Sequence, residues 1–233
     1  MSTITKVVVL TGAGISAESG VPTFRDADGL WEGHRVQDVA TPEAFETDPD
    51  TVHAFYDARR SALADVEPNP AHHALARLAG APGIELTLVT QNVDDLHERS
   101  GSVDVLHVHG ELRSARCVVC HRRHRWDTTL QDRPACPGCS QTALRPDVVW
   151  FGEMPHHLDS IYEAVGSADV FAAIGTSGLV YPAAGLVQVA NQVGAHTVEF
   201  NLQRTSATAM FAESRIGPAG QTVHAWVHEV VAG

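Results

Sequence analysis

An α/β fold, built on a parallel sheet with helices on both faces and carrying a small cysteine-held module, follows from three features of the 233-residue sequence. Short apolar, β-branched runs recur along the chain. Stretches of helical periodicity separate them. All four cysteines, finally, crowd into one window of 23 residues.

Residues 6–10 (KVVVL) open the series as a fully apolar run that leads into Thr11-Gly12-Ala13-Gly14, the pattern of a buried parallel strand followed by a glycine loop. Similar runs at 86–90, 103–108, 170–174 and 197–200 predict further strands. Residues 48–66 read as a helix after Pro49, with Val52, Phe55 and Leu63 apolar. Asn69 and Pro70 supply an N-cap and a first-turn proline for another helix. Its apolar face is Ala74, Leu75, Leu78 and Ala79, and Gly80 stops it. Residues 183–193 form a further helical segment closed by Gly194. The cysteine window interrupts the alternation. The expected organisation is therefore a sheet domain (1–30, 81–110 and 145–233), a helical insertion (31–80) and a cysteine module (111–144), with no internal repeat or low-complexity tract.

Composition excludes several classes. The chain is 44% hydrophobic and 19% charged, ordinary for a globular protein and wrong for a disordered one. No apolar run approaches the roughly 18 residues of a membrane helix, and the first is too short for a signal-peptide core. Lys and Arg number 16 against 28 Asp and Glu, a net charge of −12, so direct binding of nucleic acid is not expected. The local exception is Arg113, Arg116, Arg122, Arg123 and Arg125, which reads first as a solvated face and only secondarily as a docking patch.

Cys117, Cys120, Cys136 and Cys139 form two Cys-x-x-Cys pairs fifteen residues apart. Two-residue gaps let thiolates on a tight knuckle converge on one ion about 2.3 Å away, and Pro137 and Gly138 suit such a turn. Two disulfides are the alternative, disfavoured where nothing marks export and thiols stay reduced. One tetrahedral structural Zn2+ is the expectation. Four thiolates close its shell, so catalysis must lie elsewhere.

Gly12, Gly14 and Ala17 match the G-x-G-x-x-G/A dinucleotide fingerprint, placed after a strand as it should be. The acidic ribose ligand that usually follows about 20 residues on is missing, so this is no ordinary dehydrogenase. Taken in order, GAGISAESGVPTFR (12–25), GLW (29–31), TQNVDDLHERSG (90–101), HVHGEL (107–112), the cysteine pairs, LRPDVVWFGE (144–153), GTS (175–177) and EFN (199–201) resemble the sirtuin family across nearly the whole chain. The resemblance implies a doubly wound, Rossmann-like NAD-binding domain, a small zinc domain, and NAD-dependent removal of acyl groups from lysine. The products would be nicotinamide, free lysine and an O-acyl-ADP-ribose.

The resemblance also implies roles for residues. Such a reaction breaks the nicotinamide–ribose bond while the acyl oxygen attacks the anomeric carbon, in a site shielded from water. Backbone N–H groups around Gly12, Ala13 and Gly14 would hold the phosphates. The loop through Ile15, Ser16, Ala17, Glu18, Thr23, Phe24 and Arg25, with Trp31 beyond it, would close over the cofactor. Gln91, Asn92, Val93 and Asp94 follow a strand end, where open α/β sheets bind ligands, and Asn92 and Asp94 would hold the nicotinamide amide and nearby ribose. Gly175, Thr176 and Ser177 would lie along a ribose or phosphate, Asn201, Leu202 and Gln203 along the adenosine ribose, and Ala219 beside adenine. His109, in VHG just ahead of the cysteine module, resembles the family's general base, and imidazole titrates near the operating pH. His107 is its rival, and the motif favours His109. Val148 and Phe151 bound an extended edge where a substrate peptide would add as a strand.

Tyr56 and Arg59 stand three apart, hence on one helix face. Tyr-x-x-Arg at this place resembles the class III sirtuins, which remove malonyl, succinyl and glutaryl groups; a guanidinium fork grips a carboxylate and a phenol adds a donor. Ala17 would keep the acyl channel roomy. The alternative fates are a packed Tyr56 and a solvated Arg59. The expected partners are acylated-lysine proteins, with neither nucleic acid nor membrane, in a cytoplasmic chain compatible with a monomer. Three other readings remain: mainly a lysine deacetylase, a protein mono-ADP-ribosyltransferase, or a non-enzymatic zinc-knuckle protein. The intact set of His109, Asn92 and Asp94 argues against the last.

Overall fold

The structure, a computed structural model, describes residues 4–22, 30–31, 33–176 and 183–232, with the backbone alone for 30, 31, 183 and 184. Eleven strands are present among them: β1 (Thr5–Thr11), β2 (Leu30–Trp31), β3 (His34–Arg35), β4 (Ile84–Thr90), β5 (Leu106–His107), β6 (Gly110–Cys117), β7 (Arg123–Arg125), β8 (Leu144–Val148), β9 (Val170–Ile174), β10 (His196–Asn201) and β11 (Glu213–Ile216). The helices are α1 (Ala13–Ser16), α2 (Val36–Val39), α3 (Pro42–Thr47), α4 (Pro49–Ala62), α5 (Pro70–Ala79), α6 (Leu96–Arg99), α7 (Leu158–Val165), α8 (Ala183–Gln192) and α9 (Ala219–Ala232).

Six strands form one parallel sheet in the order β11-β10-β9-β1-β4-β5. The chain builds outward from β1 through β4 to β5, then returns to β1's other side with β9. The strand order thus reverses between β1 and β9, the place where open α/β sheets bind ligands beyond the carboxyl ends of their strands. Register is parallel throughout, Thr11 standing beside Thr90 on one side and Ile174 on the other. One face is covered by α5 and α9, with Leu75, Leu78 and Trp226 packed on Val7 and Val9. The other is covered by α7 and α8, with Ile161 and Leu186 on Val8 and Leu10. This is the doubly wound fold expected of the sequence.

Two expectations need correction. The run at 103–108 is a strand only at Leu106–His107: Asp104 takes a left-handed φ of 54° and Val103 is 74% exposed. The domain boundaries also move. Residues 70–79, assigned to the insertion, form α5, whose N-cap Asn69 accepts from Ala71 N while His72 Nδ1 accepts from Asn69 N, and α5 packs on the main sheet. Residues 145–148, assigned to the main sheet, belong to β8, which pairs antiparallel with β6 in a separate sheet of order β7-β6-β8. The turn into that sheet requires Gly110: at φ 78°, a Cβ there would sit 2.0 Å from Asp147 O. Tyr56, Phe55 and Val52 of α4 pack with Leu112, Val148 and Trp150 at its base.

The basic stretch is spent on local ion pairs. Arg113 meets Asp95 at 2.9 Å, Arg116 meets Glu153 at 3.2 Å, Arg123 meets Asp147 at 3.1 Å and Arg125 meets Asp127 at 2.8 Å. Arg122 donates to Gly138 O. Among the described residues, no helix is long and apolar enough to cross a membrane.

Candidate active site

The glycine turn after β1 interlocks with the end of β9. A Cβ on Gly12 would meet Gly175 O at 2.8 Å, and one on Gly14 would meet Gly175 Cα at 2.6 Å. Gly175 itself has φ 62°, and its Cβ would lie 2.4 Å from Ile15 N. Gly12 N donates to Ile174 O, Gly14 N to Gly175 O and Ile15 N to Gly12 O. Of the amides around this turn, those of Gly12 and Gly14 are thus bonded within the protein, while the Ala13 N–H stays outside that network. Gly14→Ala is expected to weaken NAD binding at least ten-fold, measured by calorimetry, because the added methyl strikes backbone, which cannot swing aside. Unchanged affinity would contradict the interlock.

Beside this turn, three buried polar side chains form one chain of hydrogen bonds. Asn92 Nδ2 donates to Ser16 Oγ at 3.1 Å, and Ser16 Oγ donates to Asp94 Oδ2 at 3.0 Å. Leu96 N caps the other Asp94 oxygen at 3.2 Å. Burial raises the Asp94 pKa, while the Leu96 and Ser16 hydrogen bonds pull it back down. Underneath, Thr11 Oγ1 bonds Thr90 Oγ1 at 2.8 Å, and Asn92 N bonds Thr90 in turn, so the loop sits on buried hydroxyls.

Geometry separates the two histidines that spacing could not. His107 bonds Asn92 O through Nδ1 (3.1 Å) and Glu98 Oε1 through Nε2 (2.8 Å), so both ring nitrogens are engaged. Burial lowers its pKa, but the Glu98 hydrogen bond and charge outweigh that and leave it raised. His109 lies in the turn between β5 and β6, at the seam of the two lobes, rather than on a strand face with His107. Its Nδ1 bonds Gln91 O at 3.0 Å, which fixes the tautomer with the proton on Nδ1 and the lone pair on Nε2. Burial lowers its pKa, opposed by the Gln91 bond. A neutral imidazole with its acceptor nitrogen turned from its anchor can act as a base.

Helix α4 reaches the same seam. Tyr56 is fully buried, its Oη accepting from Trp150 Nε1 at 3.0 Å. Burial pushes its pKa up to about 12 against the lowering effect of the nearby Arg59 charge. Arg59 is half-buried, its Cζ 5.6 Å from the Phe55 ring centroid. In the cysteine module, Cys117 and Cys139 sulfurs stand 3.6 Å apart and Cys120 and Cys136 sulfurs 3.7 Å apart. A tetrahedron with arms of about 2.3 Å has edges of about 3.8 Å, so the four fit one structural zinc. They are the one such metal-ligand group among the described residues.

A family model described as the Sir2 family matches residues 12–182. The chain belongs to the Sir2 (sirtuin) family. It is 54% identical over 231 residues to an NAD-dependent protein deacylase of Escherichia coli (strain K12), covering 98% of this chain and 83% of that one. Among solved structures, it is similar to a Sir2 homologue mutant in complex with ADP-ribose (TM-score 0.89, 42% identity, 96% of this chain and 91% of that one). A Sir2 homologue in complex with NAD is also similar (TM-score 0.87, 42% identity, 96% and 88%). The crowded glycines and the buried Ser16–Asn92–Asp94 chain fit NAD, the family's co-substrate.

The remaining sirtuin positions are distributed as follows. Thr176 is buried and its carbonyl accepts from Asn201 Nδ2 at 3.1 Å, at the ends of β9 and β10. Leu202 and Gln203 follow, both exposed. Ala219 begins α9 with its side chain in the core, and Glu18 Oε1 accepts from Gly220 N at 2.9 Å. Ala17 is half-buried. Val93 packs against the Tyr56 cluster. Thr23, Phe24, Arg25 and Ser177 lie outside the described residues, as does the Trp31 side chain. Along the segment 148–151, Val149 N donates to His109 O, Trp150 N to Glu153 Oε2 and Phe151 N to Ala40 O. Val148 is core, and the Phe151 ring is 54% exposed. Trp150 went unremarked in the sequence, and nothing in its motif marks it as the partner of a tyrosine 94 positions away.

Buried histidines carry a stability consequence. Burial lowers the pKa of His72 to about 4 and that of His97 well below its ordinary value, and His53 and His109 shift the same way. The unfolded chain binds these protons near pH 6.5, so stability is full above that value and falls as pH drops toward 4. His72 alone accounts for up to about 3 kcal/mol, while the raised pKa of His107 acts in the opposite sense. Urea midpoints should fall from pH 7 to pH 5, less steeply in His72→Gln. Equal slopes in the two proteins would contradict the assignment.

Proposed function

We propose that this sirtuin is an NAD-dependent protein deacylase that prefers acidic acyl groups on lysine: succinyl, malonyl and glutaryl. Family membership and the deacylase relative support the general activity. The observation that carries the preference is the meeting of two adjacent residues with both halves of the site. Val149 N donates to His109 O at 2.8 Å, and Trp150 Nε1 donates to Tyr56 Oη at 3.0 Å. The base and the acyl helix are thus tied to one short segment.

Bound NAD supplies an electrophilic anomeric carbon as its nicotinamide bond breaks. Ala13 N–H would take a phosphate oxygen in the gap that the glycines leave. Asn92 and Asp94 would orient the carboxamide and ribose, held ready by Ser16. His109 Nε2 would take the proton from a ribose hydroxyl, and the Gln91 carbonyl would hold the ring as its Nδ1–H becomes part of an imidazolium. Trp150 donates to the Tyr56 oxygen, which leaves that hydroxyl's own proton to donate to an acyl carboxylate beside Arg59. The cysteine knuckle takes no part in these steps.

The test is a competition among acetyl-, malonyl-, succinyl- and glutaryl-lysine peptides with NAD, read by mass spectrometry. The acidic substrates should exceed acetyl in kcat/KM by about ten-fold or more. Preference for acetyl would overturn the acidic reading and leave a deacetylase.

A further inference from the structure

We propose that Asp57 and Arg60 are specificity-positioning residues, which lock the rotation of α4 to the cysteine module and so aim Arg59 and Tyr56; the inference rests on the acidic-acyl reading above. Four residues of one helical turn divide the work. Tyr56 and Arg59 serve the acyl side, while Asp57 and Arg60, one step further round, face the other lobe.

Asp57 Oδ2 accepts from Thr129 Oγ1 at 2.6 Å, Leu130 N at 2.7 Å and Gln131 N at 3.2 Å. Its other oxygen pairs with Arg60. Arg60 Nε donates to Leu112 O at 2.7 Å on β6, and Nη1 donates to Thr128 O at 3.1 Å. The side chains are 11% and 4% exposed. Thr128 to Gln131 lie in the loop between Cys120 and Cys136, so every bond that leaves the helix lands on the cysteine module or its sheet. A buried ion pair is a poor source of net stability, because desolvation offsets its attraction. A pair bonded at this many points to a different lobe instead fixes orientation, and orientation is what a carboxylate fork needs. A rotation of α4 by about 10° carries a group about 9 Å from the axis through roughly 1.5 Å, and misplacement of about 1 Å suffices to cost 10²-fold. None of these bonds reaches His109, Asn92 or Asp94, so their loss should spare the chemistry and blur the choice of acyl group.

The experiment measures KM and kcat of Asp57→Ala, Thr129→Val and Arg59→Met on succinyl and acetyl peptides of one sequence, with KM for NAD alongside. Asp57→Ala should raise KM for the succinyl peptide about ten-fold, with kcat, acetyl KM and NAD KM within about two-fold. Thr129→Val removes the bond to Asp57 and the one the same hydroxyl accepts from Gln131 N, both in an exposed loop, and should move the succinyl KM in the same direction by about two- to three-fold, which keeps the test alive if Asp57→Ala does not fold. Proportional losses on both peptides, or an unchanged selectivity ratio in the folded variants, would overturn the inference. Selectivity lost in Arg59→Met but intact in the Asp57 and Thr129 variants would remove the lock and keep the pocket. Selectivity intact in Arg59→Met would remove both.

Discussion

Replacing His109 by alanine is expected to cut turnover by roughly 10²–10⁴-fold while NAD affinity stays within about two-fold. The size follows from what the ring contributes. The Gln91 carbonyl commits Nδ1 to donating, so Nε2 is left as the acceptor, and no other described histidine at the seam has a nitrogen so placed. The specificity follows from position, since the ring lies in a turn between β5 and β6 and its removal opens no core cluster. Burial holds its pKa below the ordinary imidazole value, so the acid limb of kcat should fall below pH 6.5, with the neutral form active above it. Steady-state kinetics and calorimetry decide. Near-normal turnover in the variant would remove His109 as the base and return attention to His107.

Arg59→Met should lose desuccinylation by about a hundred-fold or more, with a far smaller change in deacetylation. Methionine keeps much of the length of the side chain and its contact with the Phe55 ring but deletes the charge, so the succinyl carboxylate would be buried without its partner. Tyr56→Phe should act in the same direction more weakly, because it removes one donor and also leaves Trp150 Nε1 without its acceptor. Parallel kinetics on the two peptides check this, and equal losses would refute an acyl-carboxylate pocket.

Much of the architecture was legible because it depends on local chemistry. Residues 7–10 and 170–174 are apolar on both faces and became central strands of the sheet. Asn69, Pro70 and Gly80 mark a helix by capping alone, and the cysteine spacing anticipated the converging sulfurs. The misreadings were non-local. Residues 103–108 look like a strand, yet Asp104 turns the backbone left-handed. Residues 145–148 look like main sheet, yet their partner is β6 across the turn at Gly110. At the glycine turn, the fingerprint residues do not reveal that Ile174 and Gly175 take the Gly12 and Gly14 amides. The histidine pair shows the same limit: HVH offers two identical rings, and the difference between them comes from Gln91, Asn92 and Glu98.

The most direct measurement counts nicotinamide released against lysine freed, using a succinyl-lysine peptide, NAD labelled in its ADP-ribose half, and mass spectrometry of every product. The account predicts one nicotinamide per lysine, all label in O-succinyl-ADP-ribose, and no turnover without the peptide. Lysine freed without NAD, or label transferred stably to protein, would contradict it.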